Sequence, residues 1–83
     1  MWYLYLIRLA DDSLYCGITS NLTRRLEEHR QGRGSKYVKG RLPLKLVYLE
    51  SHDTRSEAMR RESEIKKWSK KRKEKLVKTR KSD

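Results

Sequence analysis

The chain has 83 residues, of which 22 are Lys or Arg and 11 are Asp or Glu, so its formal net charge is +11. A chain of this length has room for one domain with a small core, which buries only about 60 to 65% of the surface of the unfolded chain. The single cysteine, Cys16, excludes an intramolecular disulfide and a zinc site built from several cysteines, so we expect a reducing, cytoplasmic setting.

The positive charge is spread unevenly. Residues 1–20 carry a net charge of −1, residues 21–40 carry +4, residues 41–60 carry +1 and residues 61–83 carry +7. Such a field attracts polyanions, so nucleic acid is the first expected partner and an acidic membrane surface the second. No apolar run approaches the roughly 20 residues that span a bilayer, and the N-terminus lacks the basic segment of a secretion signal. We therefore expect a soluble protein that does not enter a membrane.

The first predicted elements form a β-hairpin. Residues 2–9 are aromatic and aliphatic without a helical period, which is typical of a strand covered on both faces. The turn formers at residues 11–13 precede a second apolar segment over residues 14–18. A loop with an odd number of residues puts Tyr15 on the same face as Tyr5, and an even number puts it on the opposite face. The sequence leaves both registers open.

A helix is predicted after the hairpin. Ser20 or Asn21 is a suitable N-cap, the helix should end near Gln31, and Gly32 suits the left-handed position that follows a helix end.

Two polar residues of this helix, Arg25 and His29, lie on or beside the apolar stripe that Leu22 and Leu26 define. Arg25 is suited to an anionic phosphoryl group, although an arginine at the edge of a stripe can also extend its charge to water. His29 could act as a general base or a hydrogen-bonding orienter, or be a core histidine with its hydrogen bonds satisfied.

Residues 32–41 predict a basic loop that contains three glycines and one aromatic residue among cations. The composition suits contacts with backbone phosphates, and it is equally typical of an ordinary mobile connection. The candidate nucleic-acid contacts in this loop are Arg33, Lys36, Tyr37, Lys39 and Arg41.

The second half of the chain predicts a third strand and two helices. Residues 44–49, after Pro43, are β-branched and aromatic enough for an antiparallel strand. Thr54 and Glu57 form a capping box, and a break at Trp68 precedes a last basic helix at about residues 69–81. The cluster at its start could be a solvated face, but we favour phosphate docking through Lys70, Lys71, Arg72 and Lys73.

Glu62 interrupts the apolar stripe of the helix that follows the third strand, on the side of Ala58 and Ile65. A bare buried carboxylate costs several kcal/mol, so it must be paired or bind a cation. One alternative is a structural ion pair, with Arg25 as a candidate partner. The other is a hard divalent ion such as Mg²⁺, which takes one or two protein carboxylates and fills its other positions with water and phosphate oxygens.

Tyr5 and Tyr15 lie on neighbouring predicted strands. Either could be an ordinary core aromatic, or both hydroxyls could point at one wet site. Because free tyrosine has a pKa near 10, a role as a base requires a nearby cation, which Arg25 or a metal could provide.

The ordered spacing of Tyr3-Leu4-Tyr5, Tyr15-Cys16-Gly17, Arg25 and Glu62 resembles the GIY-YIG nuclease superfamily, in particular its small stand-alone single-domain members. The resemblance covers essentially the whole chain, which we expect to form one domain over residues 1–83. It implies an α/β (α+β) fold with a three-stranded antiparallel sheet flanked by helices, in the order β-β-α-β-α-α. It also implies a phosphodiesterase that uses one divalent ion, Mg²⁺ or Mn²⁺.

The resemblance gives each matched position a role. The two motif tyrosines, one of them near the attacking water, are matched by Tyr5 and Tyr15. The arginine at the scissile phosphate is matched by Arg25, and a position that often holds His or Tyr is matched by His29. The glycine that lets the backbone turn tightly beside the site is matched by Gly17, and the metal ligand by Glu62.

The sequence departs from the family pattern in its first motif, which reads Tyr-Leu-Tyr rather than Gly-Ile-Tyr and keeps the functional tyrosine. The separate DNA-binding domain and the later asparagine of larger relatives are not matched. We expect a metal-dependent endonuclease acting on DNA, with repair or recombination as its setting, and a monomer or weak dimer targeted by a protein partner. The alternative is a nucleic-acid-binding module or adaptor that keeps the fold but cleaves poorly.

Overall fold

The computed structural model describes residues 1–81 and shows a three-stranded antiparallel sheet flanked by helices. The elements are, in chain order, β1 (Trp2–Arg8), β2 (Leu14–Thr19), α1 (Leu22–Arg30), α2 (Lys36–Lys39), β3 (Lys45–His52), α3 (Arg55–Lys66) and α4 (Lys70–Lys81). The strand order is β2-β1-β3, so β1 is central and β2 lies at an edge. The α+β class and the antiparallel sheet are therefore confirmed.

Helix α2 is not part of the predicted element order, because the sequence of residues 32–41 predicts a loop without a helix. The Ser35 side chain accepts a hydrogen bond from the Val38 backbone N–H at 3.4 Å, which caps this four-residue helix. Val38 is fully buried, and its packing against the core holds the helix in place. One apolar residue among cations gives no helical period, so the local sequence did not reveal α2.

The register of the hairpin places Tyr15 on the same face of the sheet as Tyr5. The loop between β1 and β2 covers residues 9–13, an odd number. Tyr5 pairs with Gly17 and Ile7 pairs with Tyr15. Because residues paired across two strands share a face, the first of the two open registers is the one that forms.

The sheet buries side chains on both faces. On the α3/α4 face, the buried cluster is formed by Leu4, Leu6, Cys16, Ile65 and Val77. On the α1/α2 face, it is formed by Tyr5, Ile7, Leu9, Leu26 and Val38. Four consecutive residues of β1, Leu4 to Ile7, are buried, which is typical of a strand covered on both sides, as the apolar sequence of residues 2–9 predicted.

Both ends of α1 are defined by local hydrogen bonds. The Asn21 side chain caps the first turn at its start. At the other end Gly32 has a positive φ of 78°, and its N–H donates to the His29 carbonyl at 3.0 Å. The Arg33 N–H donates to the Glu28 carbonyl at 2.9 Å, which completes a Schellman motif. These caps fix the direction in which the last turn of α1 meets the sheet.

The start of α4 is joined to the hairpin by ion pairs. Arg8 donates to both carboxylate oxygens of Glu74, at 2.7 and 2.6 Å, and Lys70 donates to Asp12 at 3.2 Å. None of the helices within residues 1–81 is long and apolar enough to cross a membrane.

Ile65→Ala is expected to lower the free energy of unfolding by about 2 to 5 kcal/mol, because it opens a cavity in the cluster on the α3/α4 face. Met59→Ala, on the exposed side of the same helix, is the matched control and should change it by less than about 0.5 kcal/mol. Urea unfolding followed by circular dichroism measures both. Equal losses in the two variants would contradict the assignment of Ile65 to the core.

Candidate active site

A buried hydrogen bond joins β1 to the end of α1. The Tyr5 hydroxyl lies 2.8 Å from Nε2 of His29, and the two residues are 1% and 0% exposed. The ring of Tyr5 crosses β2 at Gly17, where a Cβ atom would overlap the phenol oxygen. Gly17 lies inside β2, so the tight turn predicted for it is not what it provides. It makes room for the Tyr5 ring.

The other nitrogen of His29, Nδ1, has no hydrogen-bond partner within the described part of the chain. Gly34 covers it, and a Cβ atom there would lie 2.5 Å from Nδ1. Burial, together with the positive charge of Arg25, holds the pKa of His29 below its usual range. The imidazole is therefore neutral at neutral pH.

Arg25 lies beside the Tyr5–His29 pair and is held by two oxygens. Its guanidinium donates to the Gly34 carbonyl at 3.1 Å and to the Glu28 carboxylate at 3.2 Å. The Arg25 hydrogen bond is the main reason that the pKa of Glu28 is lowered. One third of the Arg25 side chain is exposed, so donors of a fixed guanidinium remain within reach of a ligand.

Burial raises the pKa of Tyr5 to about 12, although the Arg25 guanidinium beside it acts in the opposite direction. The phenol is therefore protonated at neutral pH. In this conformation the predicted role of Tyr5 as a base is not favoured, since one cation does not compensate for the desolvation of a phenolate.

Tyr15 lies between His29 and the short helix α2. Its ring meets the His29 ring edge-on at a centroid distance of 5.5 Å and stacks on Tyr37 at 6.3 Å. The Arg41 guanidinium covers Tyr37 at 3.8 Å from the ring centroid and is itself paired with Asp11. Helix α2 and the residues directly after it thus bring two of the predicted nucleic-acid contacts, Tyr37 and Arg41, to the site.

The remaining predicted contacts fall on two sides of the sheet. Arg33, Lys36 and Lys39 are exposed around α2, on the α1/α2 face. The basic residues at the start of α4 belong to the α3/α4 face, where Lys70 pairs with Asp12. The other basic residues there are Lys71, Arg72 and Lys73, of which the first two are exposed.

Glu62 is not brought to Arg25. Its carboxylate pairs with Lys66 at 3.3 Å, one turn further along α3, and its side chain is 22% exposed. Helix α3 packs Ile65 against the face of the sheet opposite to Tyr5, so the candidate pair between Glu62 and Arg25 is wrong. Helix α3 packs on β2, so the charge of Glu62, after burial, helps to raise the pKa of Cys16 to about 12.

Two residues of the site were not anticipated from the sequence. Glu28 follows Arg25 by three positions on a helix, a spacing that brings side chains together and could have been noticed. Gly34 contacts Arg25 and His29 through a loop whose path only the tertiary structure defines.

A second unanticipated polar cluster surrounds Glu50 on β3. Its carboxylate contacts the Tyr48 hydroxyl at 2.5 Å, Nε2 of His52 at 2.8 Å and Nε of Arg61 at 2.9 Å. Burial alone would raise the pKa of Glu50, but these hydrogen bonds hold it below its usual range. Because Arg61 belongs to α3, the cluster ties α3 to the sheet.

The chain is similar to a known family and to curated proteins. The family model described as the GIY-YIG catalytic domain matches residues 1–75. A UPF0213 protein of Natronomonas pharaonis is 49% identical over 75 residues, covering 90% of this chain and 88% of the relative. A UPF0213 protein of Staphylococcus haemolyticus is 46% identical over 78 residues, covering 94% and 95%.

Solved structures show the same fold. The solution NMR structure of a UPF0213 protein from Bacillus halodurans has a TM-score of 0.62 and 40% identity, covering 95% of this chain and 85% of the other. The solution NMR structure of a protein from E. faecalis has a TM-score of 0.67 and 39% identity, covering 98% and 86%. The resemblance noted in the sequence is therefore confirmed.

His29 is expected to make the protein less stable in mild acid. Since its folded-state pKa lies below the usual 6.5, the unfolded chain takes up a proton that the folded chain does not. The stability that depends on a neutral His29 should be fully present above pH 6.5. The free energy of unfolding should then fall as the pH drops toward the folded-state pKa, by at most about 1.4 kcal/mol per pH unit. Urea unfolding at about pH 7.5 and about pH 5.5 should show a smaller difference in His29→Gln than in the wild type. The same difference in both proteins would contradict the assignment.

Gly34→Ala is expected to disturb the site, because the added methyl group must displace the His29 ring or the loop that orients Arg25. We expect a loss of about 1 to 3 kcal/mol in the free energy of unfolding. Gly40→Ala is the matched control, since the nearest atom to its Cβ lies 3.9 Å away in ordinary contact. Thermal unfolding measures both variants, and an unchanged Gly34→Ala protein would show that the close contact is not a constraint.

Proposed function

This chain belongs to the GIY-YIG family, and from that premise we propose that it is a phosphodiester hydrolase acting on nucleic acid, with DNA as its substrate. The observation that carries the proposal is the buried Tyr5–His29 pair with the fixed, partly exposed guanidinium of Arg25 beside it. We place the reaction in the cytoplasm, in the repair or recombination of branched or damaged DNA. A protein partner would supply targeting, and the active form would be a monomer or weak dimer.

Arg25 is assigned to the scissile phosphate. Its orientation is set by the Gly34 carbonyl and the Glu28 carboxylate, so little reorganisation is needed when a phosphate arrives. A guanidinium presents paired donors to two phosphate oxygens and stabilises the charge that develops on them.

The tyrosines and His29 are assigned to the attacking water. Tyr15 is partly exposed and would contact the water, while Tyr5 is buried and holds His29 in place. A neutral His29 whose Nε2 accepts the hydrogen bond of the Tyr5 hydroxyl keeps this phenol protonated and in place, so Tyr5 orients the site without taking up a proton itself. The lowered pKa of His29 keeps the ring in the form that accepts a proton.

A divalent ion, Mg²⁺ or Mn²⁺, is assigned to Glu62. A single carboxylate with 22% exposure is compatible with an ion that keeps several waters and takes phosphate oxygens. No group of three or more histidines, cysteines or carboxylates suited to a metal occurs within residues 1–81, and in this proposal Glu62 is the single protein ligand of the ion. When bound, the ion would supply Lewis-acid polarisation of the phosphate.

The substrate phosphate would bind across the free edge of β2. Helix α3 packs on β2 from one face, and Arg25 approaches from the other. The edge strand is thus the place where one phosphodiester could be reached by both Glu62 and Arg25. The exposed cations around α2 and at the start of α4 would bind flanking phosphates, with an affinity that falls steeply as salt rises.

The alternative function is a nucleic-acid-binding module or adaptor that cleaves poorly. Two observations favour it: Glu62 is engaged with Lys66 on the far face of the sheet, and the Tyr5 hydroxyl is buried. Both would have to change on substrate binding for hydrolysis to proceed.

The test is cleavage of labelled single-stranded, duplex, flapped and four-way-branched DNA, with Mg²⁺, with Mn²⁺ and with a chelator. Metal-dependent cutting of at least one substrate is expected. It should fall by roughly a hundredfold or more in Glu62→Gln, because the ligand of the ion is removed. Glu64→Gln, an exposed carboxylate on the same helix, has the same change in charge and should cut normally.

A protein that binds these substrates in a salt-dependent way but cuts none of them with either metal would favour the adaptor. Equal activity in Glu62→Gln and Glu64→Gln would remove Glu62 from the metal site even if cutting is observed.

A further inference from the structure

An open cleft of about 320 Å³ lies next to Arg25, where β2 ends and α1 begins. Its lining combines an aromatic ring, two guanidinium groups and polar side chains, which are Trp2, Arg24, Arg25, Ser20, Asn21 and Glu28. We propose that this cleft binds the nucleotide next to the phosphate held by Arg25, with the base on the indole of Trp2 and the flanking phosphate on Arg24. The proposal rests on the proposed function, because Arg25 is the contact that the two sites share.

Trp2 has the properties of a stacking platform. It is only partly buried, and its backbone is fixed in the sheet by pairing with His52 of β3. The Arg55 guanidinium lies 5.5 Å from the centre of its ring, and two further arginines line the same cleft as Trp2. Exposed aromatic rings among cations are the means by which proteins bind single strands without reading their sequence.

Arg24 and Arg25 already hold one anion between them. Glu28 places one carboxylate oxygen 3.2 Å from Arg25 and the other 3.4 Å from Arg24. The two guanidinium groups are therefore spaced to share a single anionic group, and 77% of the Arg24 side chain is exposed. Pairs with such an exposed partner are weak, so Arg24 can turn from Glu28 to the flanking phosphate of a bound nucleotide, while Glu28 keeps Arg25 in place.

The composition of this cleft is specific to its end of α1. The neighbouring cleft at the other end of the helix, of about 420 Å³, is lined by Arg30, Leu42, Pro43 and Leu44. It has one cation and no aromatic ring, so it lacks both the stacking surface and the pair of guanidinium groups. Both clefts carry positive charge, so attraction of an anion alone would not distinguish them. A nucleotide would distinguish them, because its base needs an aromatic ring on which to stack.

The experiment follows the fluorescence of Trp2 in the Trp68→Phe protein, where it is the single tryptophan. The probe is a single-stranded DNA oligonucleotide of about 12 nucleotides, added in the presence of a chelator so that no cutting occurs. We expect saturable quenching of Trp2. In the otherwise wild-type protein, Trp2→Leu should weaken binding of this DNA by roughly tenfold, and Trp2→Phe by less because a ring is kept.

Charge variants separate DNA binding in the cleft from attraction by the overall positive charge of the protein. In the Trp68→Phe background, Arg24→Gln should weaken binding several-fold and lower the slope of log affinity against log salt by about 0.7. Arg30→Gln removes the same charge from the same helix outside the cleft, and it should leave Trp2 quenching at saturation unchanged. The two variants together measure how much of the affinity belongs to the cleft.

DNA binding that is detected by anisotropy without quenching of Trp2 would overturn the proposal. Equal losses of DNA affinity in Arg24→Gln and Arg30→Gln would also overturn it. Because the measurement needs no metal and no cutting, quenching without nuclease activity would leave the cleft standing and remove the hydrolase. Cutting of DNA without quenching of Trp2 would support the hydrolase and exclude the cleft as a nucleotide site.

Discussion

The hydrogen bond between Tyr5 and His29 is the contact on which the arrangement of the site depends. It is buried in a chain too short to hide polar side chains at little cost, and one nitrogen of the imidazole has no partner within residues 1–81. Gly17 leaves room for the phenol and Gly34 for the imidazole, and neither tolerates a Cβ atom without displacement. Four segments of the chain are therefore constrained by one pair of side chains, and the Gly34 carbonyl passes that constraint on to Arg25.

Carboxylates in this basic chain orient particular arginines. Glu28 holds Arg25 beside the site, while the partly buried Glu50 and Glu74 fasten helices to the sheet through their own arginine partners. Partly buried pairs are screened less by salt than exposed ones, so they keep their geometry where the general field weakens. The exposed lysines and arginines attract polyanions at a distance, and the paired arginines present guanidinium groups of fixed orientation at close range.

The central strand places the proposed chemistry on two sides of the sheet. Side chains alternate along β1, so Tyr5 faces α1 while its neighbours Leu4 and Leu6 face α3. Arg25 and Glu62 consequently belong to opposite layers, and in the proposed function they would reach one phosphodiester at the edge of β2. An edge strand is also a place where backbone groups remain open to a partner.

The sequence alone was enough to predict the three strands, the caps of α1 and α3, and the side of α1 that carries Arg25 and His29. These features follow from the spacing of apolar residues and from cap preferences, which involve only a few neighbouring residues. The face of Tyr15 depended on the parity of a loop, and α2 exists because Val38 finds a place in a core assembled from distant segments. Whether Glu62 could reach Arg25 depended on which layer α3 joins, although its actual partner, Lys66, lies one turn along the same helix. The layer that a helix joins and the place of Val38 in the core depend on residues far apart in the chain, so the packing of the whole domain decided them.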